Sequence, residues 1–147
     1  MRFILLTALA LYAPAPTGAL TAAANLQTVA PAQPSTAAGR LREDSVQSAA
    51  LGRSMRYRVL LPEHYEASLQ RYPVLYLLHG LGGDFTDWTT RSNVAEYSRT
   101  LPLIIVMPDA GNQWYTNADD GSARYEDYIL TDLQADVVKK YRTVNSR

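Results

Sequence analysis

The sequence contains no cysteine among its 147 residues and only two histidines. Without cysteine there are no disulfides, no thiolate ligands for zinc and no cysteine nucleophile. The 14 Lys and Arg residues balance 14 Asp and Glu residues, and this formal net charge of zero argues against a basic surface for nucleic acid. Any nucleophile must therefore be an oxygen or a nitrogen.

The sequence does contain enough apolar residues for a globular core. Hydrophobic residues make up 47% of the chain and charged residues 19%, a composition typical of a folded domain and unlike that of a disordered segment. The length suits a single domain. No apolar run reaches the roughly 20 residues that a membrane-spanning helix needs, so we expect no stable membrane span.

The first 24 residues have the features of a secretory signal peptide. A basic residue precedes a short apolar run over residues 3–12, and small residues follow that run. Cleavage after Ala19 and cleavage after Ala24 both fit, and a merely apolar tail is the alternative interpretation. The pattern predicts a secreted or periplasmic protein.

The remainder divides into a leader and one domain. Residues 25–42 are rich in Ala, Pro, Thr and Gln without a sustained period, which predicts a flexible leader. Residues 43–147 carry the hydrophobic patterns of strands and helices. We therefore predict a single folded domain over 43–147.

Four apolar segments predict the strands of an α/β domain. Residues 45–49 and 55–61 predict an antiparallel hairpin, whereas 74–78 and 103–107 are continuous apolar runs. Continuous runs are typical of parallel strands that are buried on both faces. A short helix predicted over 91–99 would connect the two runs as a β-α-β crossover.

A longer helix is predicted over residues 125–142. Its apolar stripe recurs every four residues and consists of Ile129, Leu133, Val137 and Tyr141, widened by Leu130 and Val138. We expect Asp132 and Asp136 on the solvated face, where Asp136 and Lys140 have the spacing of an i,i+4 ion pair. The stripe predicts that this helix packs on the sheet.

The glycine-rich segment after the first buried run is the strongest candidate for chemistry. The segment His79-Gly80-Leu81-Gly82-Gly83 follows the carboxyl end of a strand, where ligand sites gather in open α/β sheets. Glycines let backbone N–H groups turn toward developing negative charge, as an oxyanion hole requires. The alternatives are a nucleotide-binding loop, whose third small residue and P-loop lysine are missing, and a turn that only connects strand and helix.

Five motifs follow one another along the domain. They are His79-Gly80-Leu81-Gly82-Gly83 with Trp88, Val106-Met107-Pro108-Asp109, Trp114-Tyr115-Thr116-Asn117, Tyr125-Glu126-Asp127-Tyr128-Ile129 and Tyr141-Arg142-Thr143. In this order they resemble the Putative esterase family of α/β hydrolases, which contains esterase D (S-formylglutathione hydrolase), feruloyl and acetyl-xylan esterases and mycobacterial mycolyltransferases. The resemblance runs from about Ser45 to the last residue, and it implies the amino-terminal portion of an α/β-hydrolase fold.

The resemblance also implies an activity and a site. The activity is that of a serine carboxylesterase, which transfers the acyl group of a small-molecule or carbohydrate ester and needs no cofactor. By family position, the backbone N–H of Leu81 is one oxyanion donor, and Gly80 and Gly82 shape its loop. The expected substrate-binding residues are Trp114, Tyr115 and Trp88, for which core packing is the alternative.

The sequence departs from the family at the nucleophile. No serine has glycines two residues before and two residues after it, so the Gly-x-Ser-x-Gly elbow is absent. In the family the elbow follows the strand that comes after the 125–142 helix, and the acid and the histidine base come later still. We therefore expect a domain truncated before the elbow, with all three catalytic residues beyond Arg147, and a chain that is inactive alone. The alternative is a secreted, non-catalytic remnant that binds carbohydrate or acyl groups.

The two histidines do not replace the missing base. His64 lies in a polar turn and is expected to be a solvated loop residue. His79 occupies the family position that shapes the oxyanion loop. Residues 117–121 miss the ligand spacing of a calcium loop, so no metal is expected.

The missing strand has a consequence for assembly. In the family's fold the strand at 74–78 lies between the fourth and fifth strands, so without the fifth strand one of its edges has no partner. We expect poor solubility and self-association through this exposed edge.

Overall fold

A computed structural model describes residues 37–144 of the chain. The predicted signal peptide at 1–24 lies outside the described residues, as does the predicted leader up to residue 36. The rest of the predicted leader contains a single helical turn, α1 (Ala37–Arg40), and enters the first strand at Leu41.

The described residues contain one mixed sheet of four strands. These are β1 (Leu41–Ser48), β2 (Arg53–Leu60), β3 (Val74–Tyr76) and β4 (Ile104–Pro108), in the spatial order β1-β2-β4-β3. β1 and β2 form the predicted antiparallel hairpin, β2 is antiparallel to β4, and β3 is parallel to β4. The sheet and its flanking helices confirm the predicted α/β class.

The hairpin follows from the alternation in β2. Met55, Tyr57 and Val59 are buried at every second position, which gives the strand one core face. Gly52 closes the turn with a φ of 64°, a left-handed conformation that glycine adopts without steric cost. The two strands therefore present one apolar face to the long helix.

The two continuous apolar runs differ in burial. All of β4 is buried, as expected for a central strand. β3 is only partly covered, with Leu75 43% exposed, and it ends at Tyr76 rather than at residue 78. The prediction that both runs are buried on both faces is therefore wrong for β3. The reason is position, because β3 is the last strand of the described sheet.

The outer edge of the sheet has a partner just before β3 begins. Tyr72 forms a parallel bridge with Thr143. The Tyr72 N–H donates to the Arg142 carbonyl at 2.9 Å, and the Val144 N–H donates to the Tyr72 carbonyl at 2.8 Å. The chain after the long helix thus returns to the sheet beside β3.

The crossover contains two short helices instead of the single helix predicted over 91–99. These are α2 (Asp87–Arg91) and α3 (Val94–Tyr97), separated by Ser92 in an extended conformation. The Ser92 hydroxyl donates to the Trp88 carbonyl at 2.5 Å and accepts from the Val94 N–H at 3.3 Å. Such local side-chain bonds compete with the helical pattern and break it.

The long helix begins at Tyr125 and ends at Lys140. It consists of α4 (Tyr125–Asp127), a π-helical segment (Tyr128–Leu133) and α5 (Gln134–Lys140). Within the predicted stripe, the buried members are Ile129, Leu133 and Val137. Leu130 and Val138 are 55% and 51% exposed, so the wider stripe is wrong. The π-helical segment has more residues per turn than an α-helix, so residues spaced four apart stay on the side that faces the sheet.

The acidic residues of this helix do more than face solvent. Asp136 forms the predicted ion pair with Lys140 at 2.8 Å, and it also accepts a hydrogen bond from the Tyr57 hydroxyl at 2.5 Å. Asp132 is half-buried, because its Oδ2 accepts from the Ser48 hydroxyl at 2.6 Å and from the Ala50 N–H at 2.9 Å. The prediction of a solvated position is therefore wrong for Asp132 and also for Asp136, whose side chain is only 16% exposed, and both carboxylates tie the helix to the hairpin.

The sheet carries a core on each face. The main core lies between the sheet and the long helix and includes Tyr57, Val59, Val106, Tyr128 and Leu133. A smaller cluster of Leu60, Ile105 and Met107 is covered by Trp88, Val94, Ala95 and other partly buried residues. Within residues 37–144, no helix is long and apolar enough to cross a membrane.

Candidate functional site

A tight turn follows β3 at its carboxyl end. Leu77 still lies beside β4, since its N–H donates to the Val106 carbonyl at 2.9 Å. The Gly83 N–H then donates to the Gly80 carbonyl at 3.0 Å and closes a four-residue turn. Gly82, at the third position, has a φ of 76°, the value that a type II turn requires there. We call residues 80–83 the glycine turn.

The tip of the glycine turn is open. Leu81 is 70% exposed. Among residues 37–144, no acceptor is hydrogen-bonded to the N–H of Leu81 or of Gly82. Two adjacent backbone donors are therefore available to a ligand at the carboxyl end of the parallel strands, where an oxygen carrying negative charge could accept from them.

His79 fixes the start of the turn from inside the protein. Its side chain is only 2% exposed. Nδ1 lies 2.8 Å from the Gly80 carbonyl oxygen and Nε2 lies 3.2 Å from the Ala110 nitrogen. The carbonyl only accepts and the N–H only donates, so these two contacts assign the tautomer with its proton on Nδ1. The imidazole thus links the glycine turn to the segment after β4.

Tyr115 supports His79 from the opposite side. Its hydroxyl oxygen accepts the His79 backbone N–H at 3.2 Å. The two rings pack edge to face, with centroids 5.5 Å apart and an interplanar angle of 65°. The side chain is half-buried against the main core, and this burial raises the pKa of Tyr115 to about 12. The hydroxyl therefore keeps its proton at neutral pH.

Phe85 anchors the other end of the loop, a contact that the sequence motifs did not indicate. It is 4% exposed and lies beneath two guanidinium groups, 4.4 Å from Arg56 and 5.5 Å from Arg58 to the ring centroid. The Arg58 side chain also donates to the Thr89 hydroxyl at 2.6 Å. β2 thereby holds the segment that follows the glycine turn.

A side chain at Gly83 would have to displace the Asp87 carboxylate. A Cβ atom built on it would lie 2.2 Å from Asp87 Oδ2 and 3.1 Å from the Gly80 carbonyl oxygen. At Gly80 and Gly82 a Cβ would meet nothing within 4 Å. Gly83 is therefore restricted by its packing against Asp87 and Gly80, and Gly82 is restricted by its backbone conformation alone.

The two expected tryptophans have different surroundings. The Trp88 indole N–H donates to the Leu78 carbonyl at 3.1 Å, and its ring is half-buried in the smaller cluster. Trp114 is 72% exposed. Trp88 thus supports the segment that leads into the turn, while Trp114 remains available at the surface next to Tyr115. Their role in substrate binding stays a prediction.

The other histidine lies away from the turn. His64 is exposed, has a φ of 59° and precedes a 3₁₀ turn (Tyr65–Ala67), which confirms its place in a loop. No serine within residues 37–144 is hydrogen-bonded to either histidine. In the same part of the chain, no three His, Asp or Glu side chains converge as a metal site requires.

Comparison with known proteins gives a consistent result. The sequence model of the family described as "Putative esterase" matches residues 48–147. Esterase Rv1288 of Mycobacterium tuberculosis H37Rv is 36% identical over 103 residues, covering 66% of this chain and 22% of that protein. Esterase MT1326 of strain CDC 1551 gives the same values.

Solved structures are similar over the same region. A ferulic acid esterase has a TM-score of 0.66 at 30% identity, with 73% of this chain and 45% of that chain covered. An S-formylglutathione hydrolase of Staphylococcus aureus has a TM-score of 0.61 at 25% identity, with 73% and 43% covered. The chain thus spans less than half of these structures and about a fifth of the curated relatives.

Proposed function

This chain belongs to the Putative esterase family of α/β hydrolases, and from that membership we propose that it is the amino-terminal part of a secreted carboxylic-ester hydrolase. The proposed reaction is acyl transfer from a small acyl ester or an acylated carbohydrate to a serine, followed by hydrolysis. The proposed serine, acid and histidine base belong to sequence that these 147 residues do not contain. This chain alone is then inactive.

The glycine turn is the observation that carries the proposal. Attack on an ester places negative charge on the carbonyl oxygen, and preorganised N–H donors lower the barrier by binding that charge. Leu81 presents such a donor at the carboxyl end of β3, with no competing acceptor among residues 37–144. In α/β hydrolases the second donor is the N–H of the residue after the nucleophile. The turn would therefore supply half of the oxyanion hole.

The arrangement around the turn suits this role. An oxyanion donor contributes only if it is already oriented before the reaction, and losing one donor costs about 10²–10³ in kcat. His79 ties Gly80 to Ala110, and Phe85 holds the loop beneath two arginines. The N–H of Leu81 is thus fixed by contacts on both sides of the turn.

Two measurements test the proposal. The purified 147-residue chain is assayed with p-nitrophenyl acetate, with and without a fluorophosphonate inhibitor of serine hydrolases. We expect no acyl-enzyme burst and no inhibitor-sensitive turnover, and either one would contradict the assignment of the triad to other sequence. The encoding DNA is then read past the codon for Arg147. The proposal expects a strand, a Gly-x-Ser-x-Gly elbow, an acid and a histidine, and their absence would overturn it.

Exposed Trp114 favours a second candidate, a non-catalytic module that binds carbohydrate or acyl groups. The chain has two tryptophans, of which Trp88 is half-buried and hydrogen-bonded. Fluorescence titration with an acetylated xylo-oligosaccharide therefore reports on Trp114. A saturable change in tryptophan fluorescence that is lost in Trp114→Phe, without ester turnover, would favour this module. An unchanged emission spectrum would exclude binding of that probe at Trp114.

Secretion rests on the signal-peptide pattern of residues 1–24. The test is to express the full chain in a bacterial host and to sequence the amino terminus of the exported product. Cleavage after Ala19 or Ala24 is the expected result. Retention of Met1 in the exported or cytosolic product would contradict secretion by this signal.

A further inference from the structure

The hydroxyl of Tyr115 is engaged at the backbone of the candidate oxyanion loop. It accepts the His79 N–H at 3.2 Å, while the ring packs edge to face on the imidazole. A tyrosine that lined a substrate pocket would present this hydroxyl to the ligand. Here the protein itself occupies one acceptor position of the hydroxyl, so Tyr115 has a structural contact that its expected place in a substrate pocket does not explain.

A continuous set of contacts leads from Tyr115 to the tip of the turn. Tyr115 holds the His79 backbone, and the His79 ring holds the Gly80 carbonyl at 2.8 Å. The same carbonyl accepts the Gly83 N–H at 3.0 Å, the bond that closes the turn. Movement of His79 would therefore shift both hydrogen bonds that orient Gly80, and with them the direction of the next N–H, that of Leu81.

Tyr115 is itself held firmly enough to act in this way. Its side chain packs against the main core. Two residues later, the Asn117 side chain accepts the Asp127 N–H at 3.3 Å, and Asn117 pairs with Arg124 in an isolated bridge. The segment that carries Tyr115 is thus attached to the beginning of the long helix, which lies on the sheet.

We propose that Tyr115 is a positioning residue that orients the Leu81 N–H through His79, an inference that rests on the proposed oxyanion role of the glycine turn. Tyr115 does not touch the reacting ester in this assignment. Its effect on catalysis in a complete enzyme would fall on kcat, because the oxyanion contact strengthens only in the transition state.

Amide hydrogen exchange in the full 147-residue chain tests the assignment without any substrate. In the unmodified chain, the His79 amide is expected to exchange at least about tenfold more slowly than the Leu81 and Gly82 amides, since only the first has an acceptor. Equal rates for the three amides would overturn the proposal. This comparison needs no variant, so it stands even if a substitution prevents folding.

Tyr115→Phe removes the acceptor and keeps the ring. We expect the exchange of the His79 amide to accelerate about fivefold to tenfold, with faster exchange of the Gly83 amide, whose bond to Gly80 closes the turn, and a nearly unchanged melting temperature. Tyr141→Phe is the matched control, because its hydroxyl is hydrogen-bonded to Asp44, away from the turn. Unchanged exchange of the His79 and Gly83 amides in Tyr115→Phe, or equal acceleration of both in Tyr141→Phe, would overturn the proposal.

The imidazole of His79 gives a spectroscopic signature that a general loss of stability does not produce. In the unmodified chain, the ¹⁵N spectrum is expected to show the proton on Nδ1 alone. Tyr115→Phe is expected to mix the two tautomers as Gly80 moves, and Tyr141→Phe is not. Neither the amide exchange nor the ¹⁵N spectrum involves an ester. The positioning role of Tyr115 and the esterase proposal can therefore fail independently of each other.

Discussion

Gly82 and Gly80 show how two glycines of one turn differ. Both have open space where a Cβ would stand, but Gly82 has a φ of 76°. The sequence predicted a glycine-rich loop at this place. It could not predict which glycine the backbone requires, because that depends on the turn type and on the His79 contact with Gly80.

Alanine substitutions at these two positions separate the effect of backbone strain from the effect of adding a methyl group. Gly82→Ala is expected to lower the free energy of unfolding by about 1 kcal/mol, because alanine is strained at positive φ. Gly80→Ala introduces the same methyl group into equally open space and is expected to change it by less than about 0.5 kcal/mol. Urea unfolding monitored by circular dichroism measures both, and equal losses would contradict the assignment of strain to Gly82.

Asp84 connects the loop to acid stability. Its carboxylate accepts the Thr86 N–H at 2.7 Å, and hydrogen bonds from Thr86 hold its pKa below the ordinary value. A group with a lowered pKa contributes stability above its unfolded pKa of about 4, and this contribution disappears as the pH falls through the lower folded value.

Asp84→Asn removes this titration. The variant is expected to lose less stability than the unmodified chain between about pH 4 and pH 2, because its amide does not protonate in that range. Asn112→Ala, at an exposed loop position without an ionisable group, is the control and should leave the loss of stability at low pH unchanged. Thermal melts at steps of half a pH unit measure the effect. If the melting temperatures of Asp84→Asn and of the unmodified chain fall equally between about pH 4 and pH 2, the prediction is refuted.

At the scale of elements, the long helix shows what a hydrophobic period can predict. The spacing of four residues identified Ile129, Leu133 and Val137 as buried, and the structure confirms them. It did not predict the π-helical segment, and it could not predict the partners of Asp132, since these lie at the hairpin turn more than 80 residues earlier. A polar residue on a helix indicates only that it is not in the apolar stripe.

Asp132→Ala tests the tie between the long helix and the hairpin. It leaves the Ser48 hydroxyl and the Ala50 N–H without this acceptor, so we expect a loss of about 2 kcal/mol in the free energy of unfolding. The exposed neighbour Thr131→Ala should change it by less than about 0.5 kcal/mol. Chemical denaturation compares the two, and a loss below 0.5 kcal/mol for Asp132→Ala, on the same scale as surface substitutions, would show that the contact is dispensable.

At the scale of the whole molecule, the partly covered strand β3 leaves apolar surface exposed. Leu75 and Leu78 remain 43% and 39% exposed on and just after β3. An incompletely covered apolar edge strand pairs readily with other chains. We infer self-association through this surface. The strand was predictable from its apolar run and its unpaired edge from the family's strand order. The partial exposure of its faces was not predictable, because burial depends on neighbours that are distant in sequence.

Leu75→Lys tests the surface with a charge at its centre. We expect the unmodified chain to show an apparent mass that rises with concentration in the micromolar range, and the variant to shift toward the monomer. Leu69→Lys replaces a leucine that is 94% exposed outside β3 and should leave association unchanged. Analytical ultracentrifugation measures the three proteins, and a monomeric, cooperatively melting unmodified chain would contradict the inference.

The bridge between Tyr72 and Thr143 can form only after the ribosome has synthesised the end of the chain. The first hydrogen bonds on the outer edge of β3 come from residues that follow Tyr72 by roughly 70 positions. At ribosomal rates of about 5–20 residues per second, about 4–14 s pass between the synthesis of β3 and the synthesis of these residues. During this interval its edge is available to chaperones and to neighbouring nascent chains, so the yield of this protein should depend on how fast it is translated.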